Sequence, residues 1–454
     1  MISNYPDPMT DILFIAFEFP PVLRGGVYRS IAFVEHLPTF GINPIVITLD
    51  PASFKQTFDN YGYDENLGRE VIDRSVIVPV PAAPAVIQSG FEQFVTIYFS
   101  ILGNEVRYWK ENFYKAVEKA VETYKPRAIF ATVPPFSVLE LAAEAARRHR
   151  LPLVLDFRDA FSQWRGVPYG SILHYRKTVQ VEKKYLNAAA AVVATSLQTI
   201  DDFQELHREV AAEKFHYIPN GYSGALKAWR GIGTDKEIYT IGYVGGFYYN
   251  PGEREQMLKP WWRKRGHRML QYIPRKQDWM YRSPYFFFTA LQELNVVDPA
   301  LGKKIRVRFA GKKPGWLAEM IRSLGLEEQV ELIGELSHQE SLAFQENCDA
   351  LLITSAKQLG GRDYSIAGKT FEYLQMQRPV IAFVCEGAQK DLLTRAGTAL
   401  ICDPDDRRGS AELLRELFRG KISFGPDYAF LKTLTREALT QQLADVIKNA
   451  IAHT

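Results

Sequence analysis

Short runs of consecutive apolar residues alternate along the chain with longer stretches in which apolar positions recur every three or four residues. The short runs read as strands buried on both faces and the longer stretches as amphipathic helices, so the alternation predicts parallel α/β sheets. Asp11-Ile-Leu-Phe-Ile-Ala-Phe17 predicts a buried first strand, the segment from Pro20-Pro21 to Gly25-Gly26 a loop, and residues 27–40 a helix. A turn and second strand are expected over 41–48, with further strands at 128–132, 153–156, 191–194 and 215–218. The region 51–124 is less regular and is rich in aromatic residues from 91 to 114.

The pattern then restarts. Residues 239–244 predict a strand followed by Gly245-Gly246, much as the first strand is followed by Gly25-Gly26. Later strands are expected at 305–310, 330–333, 350–354, 379–383 and 399–401, and helices at 285–294, 316–324, 338–347, 369–376, 411–418 and 434–451. The expected fold class is α/β with two doubly wound domains, 1–222 and 223–430, and a terminal helix within 431–454. Gly224, Gly231 and Gly233 mark 223–235 as a linker. One stretch, about 248–281, fits no strand–helix unit and reads as an insertion. Within it Pro260-Trp-Trp-Arg-Lys-Arg-Gly-His-Arg268 is either a solvated, locally packed loop or a face turned to a cleft or to an anionic membrane, since Trp beside Arg and Lys suits the bilayer interface.

Composition narrows the chemistry. Across 454 residues, 55 Lys and Arg against 52 Asp and Glu leave a net charge of only +3, which argues against a bulk nucleic-acid binder. Cys348, Cys385 and Cys402 are too few and scattered for a disulfide framework or a zinc site, so a reducing cytoplasm is expected. The histidines show no metal-ligand spacing. No run approaches the roughly 20 apolar residues that span a bilayer, and no basic stretch precedes the first apolar run, so membrane contact is expected to be peripheral at most.

Ligands of open α/β sheets bind at the carboxyl ends of the strands, and two such domains facing each other would form a cleft. Gly25-Gly26 before a helix lets backbone N–H groups approach an anion. The pair lacks the spacing of a dinucleotide fingerprint or Walker loop, and a glycine pair after a strand is more often just a turn. The run from Ser365 through Gly368-Lys369-Thr370 to Glu372 is more specific. Lys369 and Glu372 stand three apart on a helix and share a face, so one could meet a phosphate and the other a ribose diol. The alternative is an ordinary surface Lys–Glu pair.

These pieces resemble the GT-B glycosyltransferases, specifically glycosyltransferase family 4. The matching residues are Phe19-Pro20-Pro21 with Gly25-Gly26 and Arg29, Ile218-Pro219-Asn220-Gly221, Val244-Gly245-Gly246-Phe247-Tyr248, Phe309-Ala310-Gly311, the run Gly368 to Leu374, and Arg378-Pro379-Val380. The resemblance implies two Rossmann-like domains facing a central cleft, with a nucleoside-diphosphate sugar donor held mainly by the second and a saccharide or lipid-linked acceptor by the first. Gly25 and Gly26 would approach the donor phosphates and sugar, with Gly245, Gly246 and Gly311 on the donor side. Glu372 would bind the nucleotide ribose. Lys369, or the backbone from Ser365 through Gly368 to Thr370, would face the diphosphate or sugar, and Arg282 would neutralise the leaving diphosphate.

Two departures stand out. Many members carry a second glutamate eight positions before the residue matching Glu372, where this chain has Tyr364 beside Asp363. The strand end that often carries His-Asp reads Asp156-Phe-Arg158-Asp159, which assigns Arg158 and Asp159 either to the cleft or to a structural salt bridge. Asp156 and Asp159 form a candidate carboxylate pair for hydrolysis. The family implies retaining transfer, with no cofactor and no essential metal. Asp403-Pro404-Asp405 therefore reads as a loop rather than a metal motif. The expected function is glycan or cell-surface polysaccharide biosynthesis, cytoplasmic, at the inner face of the membrane if residues 261–268 bind lipid. The alternatives are a sugar-nucleotide epimerase and a non-catalytic glycosyltransferase-like partner.

Overall fold

The computed structural model describes residues 9–57, 62–83, 100–163, 168–234, 236–264 and 266–453. The aromatic segment 91–99 lies outside the described residues. The chain divides into two compact units: Met1–Asn220 with Gly266–Pro274 and Arg436–Thr454, and Gly221–Arg265 with Arg275–Thr435.

The first unit is built on a seven-stranded parallel sheet in the order Val76–Val80, Ile42–Leu49, Thr10–Ile15, Ala128–Val133, Leu153–Phe157, Ala191–Ala194, Phe215–Tyr217. Period-two alternation along a strand sends successive side chains to opposite faces. Leu13 and Ile15 accordingly join one buried cluster with Trp109, Phe113 and Phe157, while Ile12 and Phe14 join another with Phe130 and Val46. The terminal helix Arg436–Ala452 closes that second face with Leu439, Leu443 and Ile447.

The irregular region 51–124 contains the edge strand Val76–Val80 and the helix Lys110–Tyr124. Pro79 masks the strand signal, yet proline is tolerated at a sheet edge. The helix expected over 27–40 ends at His36 and tightens into a 3-10 turn over Leu37–Phe40, where Pro38 supplies no N–H to continue it.

The second unit carries a six-stranded parallel sheet in the order Val330–Gly334, Ile305–Ala310, Tyr239–Val244, Ala350–Thr354, Val380–Phe383, Ala399–Cys402. Tyr239, Ile241 and Tyr243 pack with Phe287, Phe288 and Phe309 on one face. Leu351 and Ile353 pack with Phe371 and Leu374 on the other. The glycine-bearing stretch after residue 223 is tied to this unit: Lys227 and Arg230 donate backbone N–H groups to the carbonyls of Gln375 and Gln377, each at 3.0 Å. Those carbonyls belong to a helix end and have no intrahelical partner, so the strand-like segment satisfies them.

The insertion is partly ordered. A helix at Pro251–Leu258 is capped by Asn250, whose side chain accepts from Gly252 and Glu253 N–H. Residues Gln277–Asp278 pair antiparallel with Lys357–Gln358. Between them Gly266–Pro274 groups with the first unit, where Tyr169 and Tyr272 exchange backbone hydrogen bonds of 2.9 Å. Trp261 and Trp262 are 61% and 64% exposed.

Candidate functional site

In the second sheet the strand order reverses between Tyr239–Val244 and Ala350–Thr354, and the crevice at the carboxyl ends of such a pair is where open α/β sheets take ligands. Gly245 follows the first of these strands with φ +91°, a backbone conformation that favours glycine. Gly311, φ +153°, packs so closely behind it that a methyl group there would overlap the Gly245 carbonyl. Gly311 therefore shapes the strand ends, while Gly246 is open.

Lys369 is the second residue of the helix Gly368–Met376, which starts without a side-chain cap and without an acidic residue in its first turn. Its Nζ lies 3.8 Å above the centroid of the Tyr243 ring, and a methyl group on Gly245 would stand 3.2 Å from it. The ammonium is shut off from solvent and has no hydrogen-bond partner among the described residues, although the residue as a whole is half-buried. Burial pushes its pKa down from 10.5 to about 7, opposed by the charge of Glu372. Lys369 and Glu372 are not a surface ion pair. Instead the Glu372 Oε2 accepts from Gln345 Nε2 at 3.2 Å.

Arg282 ends the 3-10 turn Trp279–Arg282. Its carbonyl accepts from Thr354 Oγ1 at 2.9 Å, which fixes it at the end of the strand Ala350–Thr354, and its Nη2 donates to Ser365 Oγ at 3.2 Å. It has no carboxylate partner among the described residues. The return of the insertion builds this turn: Asp278 accepts from Met280 N–H and is gripped by both Arg254 Nε and Nη2, at 2.6 and 2.7 Å.

Asp363, next to the Tyr364 that replaces the expected upstream acid, is buried and engaged. It accepts from Ser365 Oγ at 2.7 Å and from Gln277 Nε2 at 3.3 Å, so it organises the loop. Tyr364 is buried too. Thr370 turns its hydroxyl to a neighbouring side chain. Its hydroxyl donates to Gln389 Oε1 at 3.3 Å and its N–H to Ala367 O at 2.9 Å, and the residue is fully buried. Gly368 is exposed at the helix start.

In the first unit, Gly25 is open, and Gly26 caps the helix Val27–His36 directly beneath Arg158. A methyl group on Gly26 would overlap Arg158 Nη1. The Arg158 guanidinium donates to the carbonyls of Val133 (3.3 Å) and Pro134 and lies 3.8 Å from Glu18, which also pairs with Arg24. Burial lowers the Arg158 pKa, and Glu18 opposes that. Asp159 is half-buried. Asp156 is fully buried: it takes both Arg29 Nη2 (2.8 Å) and Nε (3.2 Å) and accepts from Thr132 Oγ1 (2.8 Å). Asp156 and Asp159 are therefore not two open carboxylates of a hydrolytic pair.

The Asp403–Asp405 segment is a loop: Asp405 N–H donates to Asp403 Oδ1 at 2.9 Å, and the Asp405 carboxylate is taken by the Tyr281 hydroxyl and Lys357. Among the described residues no group of three or more His, Cys, Asp or Glu is placed to hold a metal ion. No helix among them is long and apolar enough to cross a membrane. Sequence reasoning missed Tyr243, Gln345 and the Arg254–Asp278 clamp. Strand alternation places Tyr243 on the face of Tyr239 and Ile241, but nothing along the chain signals that a lysine will lie on its ring.

Residues 41–221 match the family described as Glycosyl transferase 4-like domain, and residues 281–419 match Glycosyl transferases group 1. No curated protein matches the chain. Among solved structures, it is similar to a sucrose-phosphate synthase from Thermosynechococcus elongatus (13% identity, TM-score 0.57, covering 98% of this chain and 100% of that one). It is also similar to the lipopolysaccharide outer core galactosyltransferase WaaB (13%, 0.56, 97% and 99%). A third is HepE of Anabaena, solved in complex with UDP (14%, 0.52, 98% and 98%). With two matched domains in this order and this shared fold, the chain belongs to the GT-B glycosyltransferases, as a glycosyl transferase 4-like domain followed by a glycosyl transferases group 1 domain.

Proposed function

We propose that this glycosyltransferase moves a sugar from a nucleoside-diphosphate donor to a saccharide or lipid-linked acceptor, with retention, in glycan or cell-surface polysaccharide biosynthesis. The observation that carries the reading is Lys369: a buried ammonium without a partner, in the first turn of an uncapped helix, beside Gly245. An unpaired buried charge is costly, and an anion brought beside Lys369 relieves that cost. Breaking the sugar–phosphate bond builds negative charge on the leaving diphosphate. Lys369, Arg282 and the N–H groups at Gly368 are the chain's means of stabilising that charge. Glu372 binds the ribose. The donor's own phosphate takes the acceptor proton, and a chelator leaves the rate unchanged. The first unit, with Gly25, Gly26, Arg158 and Asp159, serves the sugar and the acceptor. HepE in complex with UDP lends support for a uridine donor.

Peripheral contact with an anionic membrane through residues 261–268 belongs to the same reading, supported by the exposed Trp261, Trp262, Arg263 and Arg268. Cosedimentation with anionic vesicles should fall on replacing both tryptophans by serine, and unchanged binding removes these residues from the account.

A thermal-shift screen of sugar nucleotides, followed by transfer assays, tests the function. Ligand at a hundred times its Kd stabilises by about 2.7 kcal/mol, so the correct donor raises Tm by several degrees. No stabilisation by any sugar nucleotide or nucleoside diphosphate sinks the proposal. An epimerised sugar formed without acceptor points to the epimerase reading instead, and binding without turnover to a non-catalytic partner.

A further inference from the structure

Gln345 is fully buried on the helix His338–Asn347, and its amide is only partly satisfied. Nε2 donates to Glu372 Oε2 and to Ser341 Oγ, both at 3.2 Å, while Oε1 is buried without a partner among the described residues. Burying an amide with one group unpaired is costly, a cost that an apolar side chain of the same volume would avoid. What the amide supplies that such a side chain cannot is a donor to Glu372. It claims Oε2 and leaves Oε1 with no partner among the described residues. One oxygen of the carboxylate is thereby engaged and the other is not.

We propose that Gln345 is a positioning residue for nucleotide recognition: by holding Oε2, it directs Glu372 Oε1 to a ribose hydroxyl and makes the site discriminate ribonucleotides from deoxyribonucleotides. The proposal rests on Glu372 as the ribose ligand. A carboxylate free to rotate loses rotamer entropy on meeting a hydroxyl, whereas one already fixed does not, so Gln345 contributes selectively to ligands that carry the hydroxyl. Ser341, one turn earlier on the same helix, fixes the amide in turn.

The test is calorimetric titration of UDP, ADP and GDP, each beside its 2′-deoxy and 3′-deoxy analogues, into the wild-type chain and the variants Gln345→Leu, Gln345→Met and Glu372→Ala. For the diphosphate that binds, the wild type should prefer the ribonucleotide over one deoxy analogue by about tenfold, the worth of one charge-assisted hydrogen bond. Both Gln345 variants should cut that preference to less than about threefold while binding the deoxy analogue as the wild type does, which also reports an intact fold. Retained preference in both variants overturns the proposal, as does equal weakening of ribo and deoxy ligands. A preference that survives Glu372→Ala overturns instead the ribose assignment on which it rests, and binding of none of the diphosphates overturns both.

Discussion

Each unit places a glycine pair in a loop at its sheet and a basic side chain over one of the two glycines, and the two basic groups meet opposite fates. Over Gly26, Arg158 is spent: two carbonyls and Glu18 take its donors and charge. Over Gly245, Lys369 is left with an aromatic face and nothing to hydrogen-bond. The first arrangement pairs its cation within the unit. The second leaves its cation without a hydrogen-bond partner among the described residues. Resemblance between the halves therefore hides a difference: one cation lies within ion-pair distance of an acid and, among the described residues, the other does not.

The comparison breaks first on stability. Arg158→Met removes one partner of a buried pair and should destabilise by about 2–4 kcal/mol in urea unfolding, since Glu18 keeps only Arg24. Lys369→Met removes a charge that burial penalises and should stabilise the free protein by about 1 kcal/mol. Loss of stability in both variants would erase the distinction.

The next effect is on pH. The folded-state pKa of Lys369, about 7, lies below its ordinary 10.5, so between these values the unfolded chain binds the extra proton. Stability of the free wild type should therefore rise from pH 7 towards 10.5 relative to Lys369→Met, by at most about 1.4 kcal/mol per pH unit. Below pH 7 the penalty is present in full. Parallel urea midpoints of the two proteins across pH 7–10 would remove Lys369 as the titrating group.

The smallest effects sharpen the glycine pairs. Gly26→Ala crowds the fixed Arg158 and should cost about 1–2 kcal/mol, while Gly246→Ala enters open space and should stay within about 0.5 kcal/mol. Thermal melts of the two variants that coincide would show that Arg158 yields freely.

The strands were legible because parallel strands buried on both faces are continuous apolar runs, and Tyr239–Val244, Ile305–Ala310 and Ala350–Thr354 begin and end where the pattern says. The strand Val76–Val80 was hidden by Pro79, and the helix Pro251–Leu258 by its largely polar, exposed surface. At the site, Lys369, Glu372 and Arg282 could be named from motif order, because spacing on a helix and after a strand survives in the sequence. What spacing does not carry is the burial of a particular atom. The enclosure of Lys369 by Tyr243, the capture of Glu372 by Gln345 and the diversion of Thr370 to Gln389 depend on contacts between segments 19 to 126 residues apart. The insertion shows the same limit, since its role in building the Arg282 turn passes through Arg254 and Asp278, two residues with no motif between them.

The central claim is that the unpaired Lys369 ammonium receives the donor's diphosphate. Calorimetric titration of UDP, ADP and GDP at pH 6.5, on the side of about 7 that favours the charged ammonium, into the wild type and Lys369→Met tests it most directly. The account predicts that one diphosphate binds the wild type and that Lys369→Met weakens it by about a hundredfold, as loss of a desolvated charge-assisted contact requires. Equal affinity in the two proteins would contradict it.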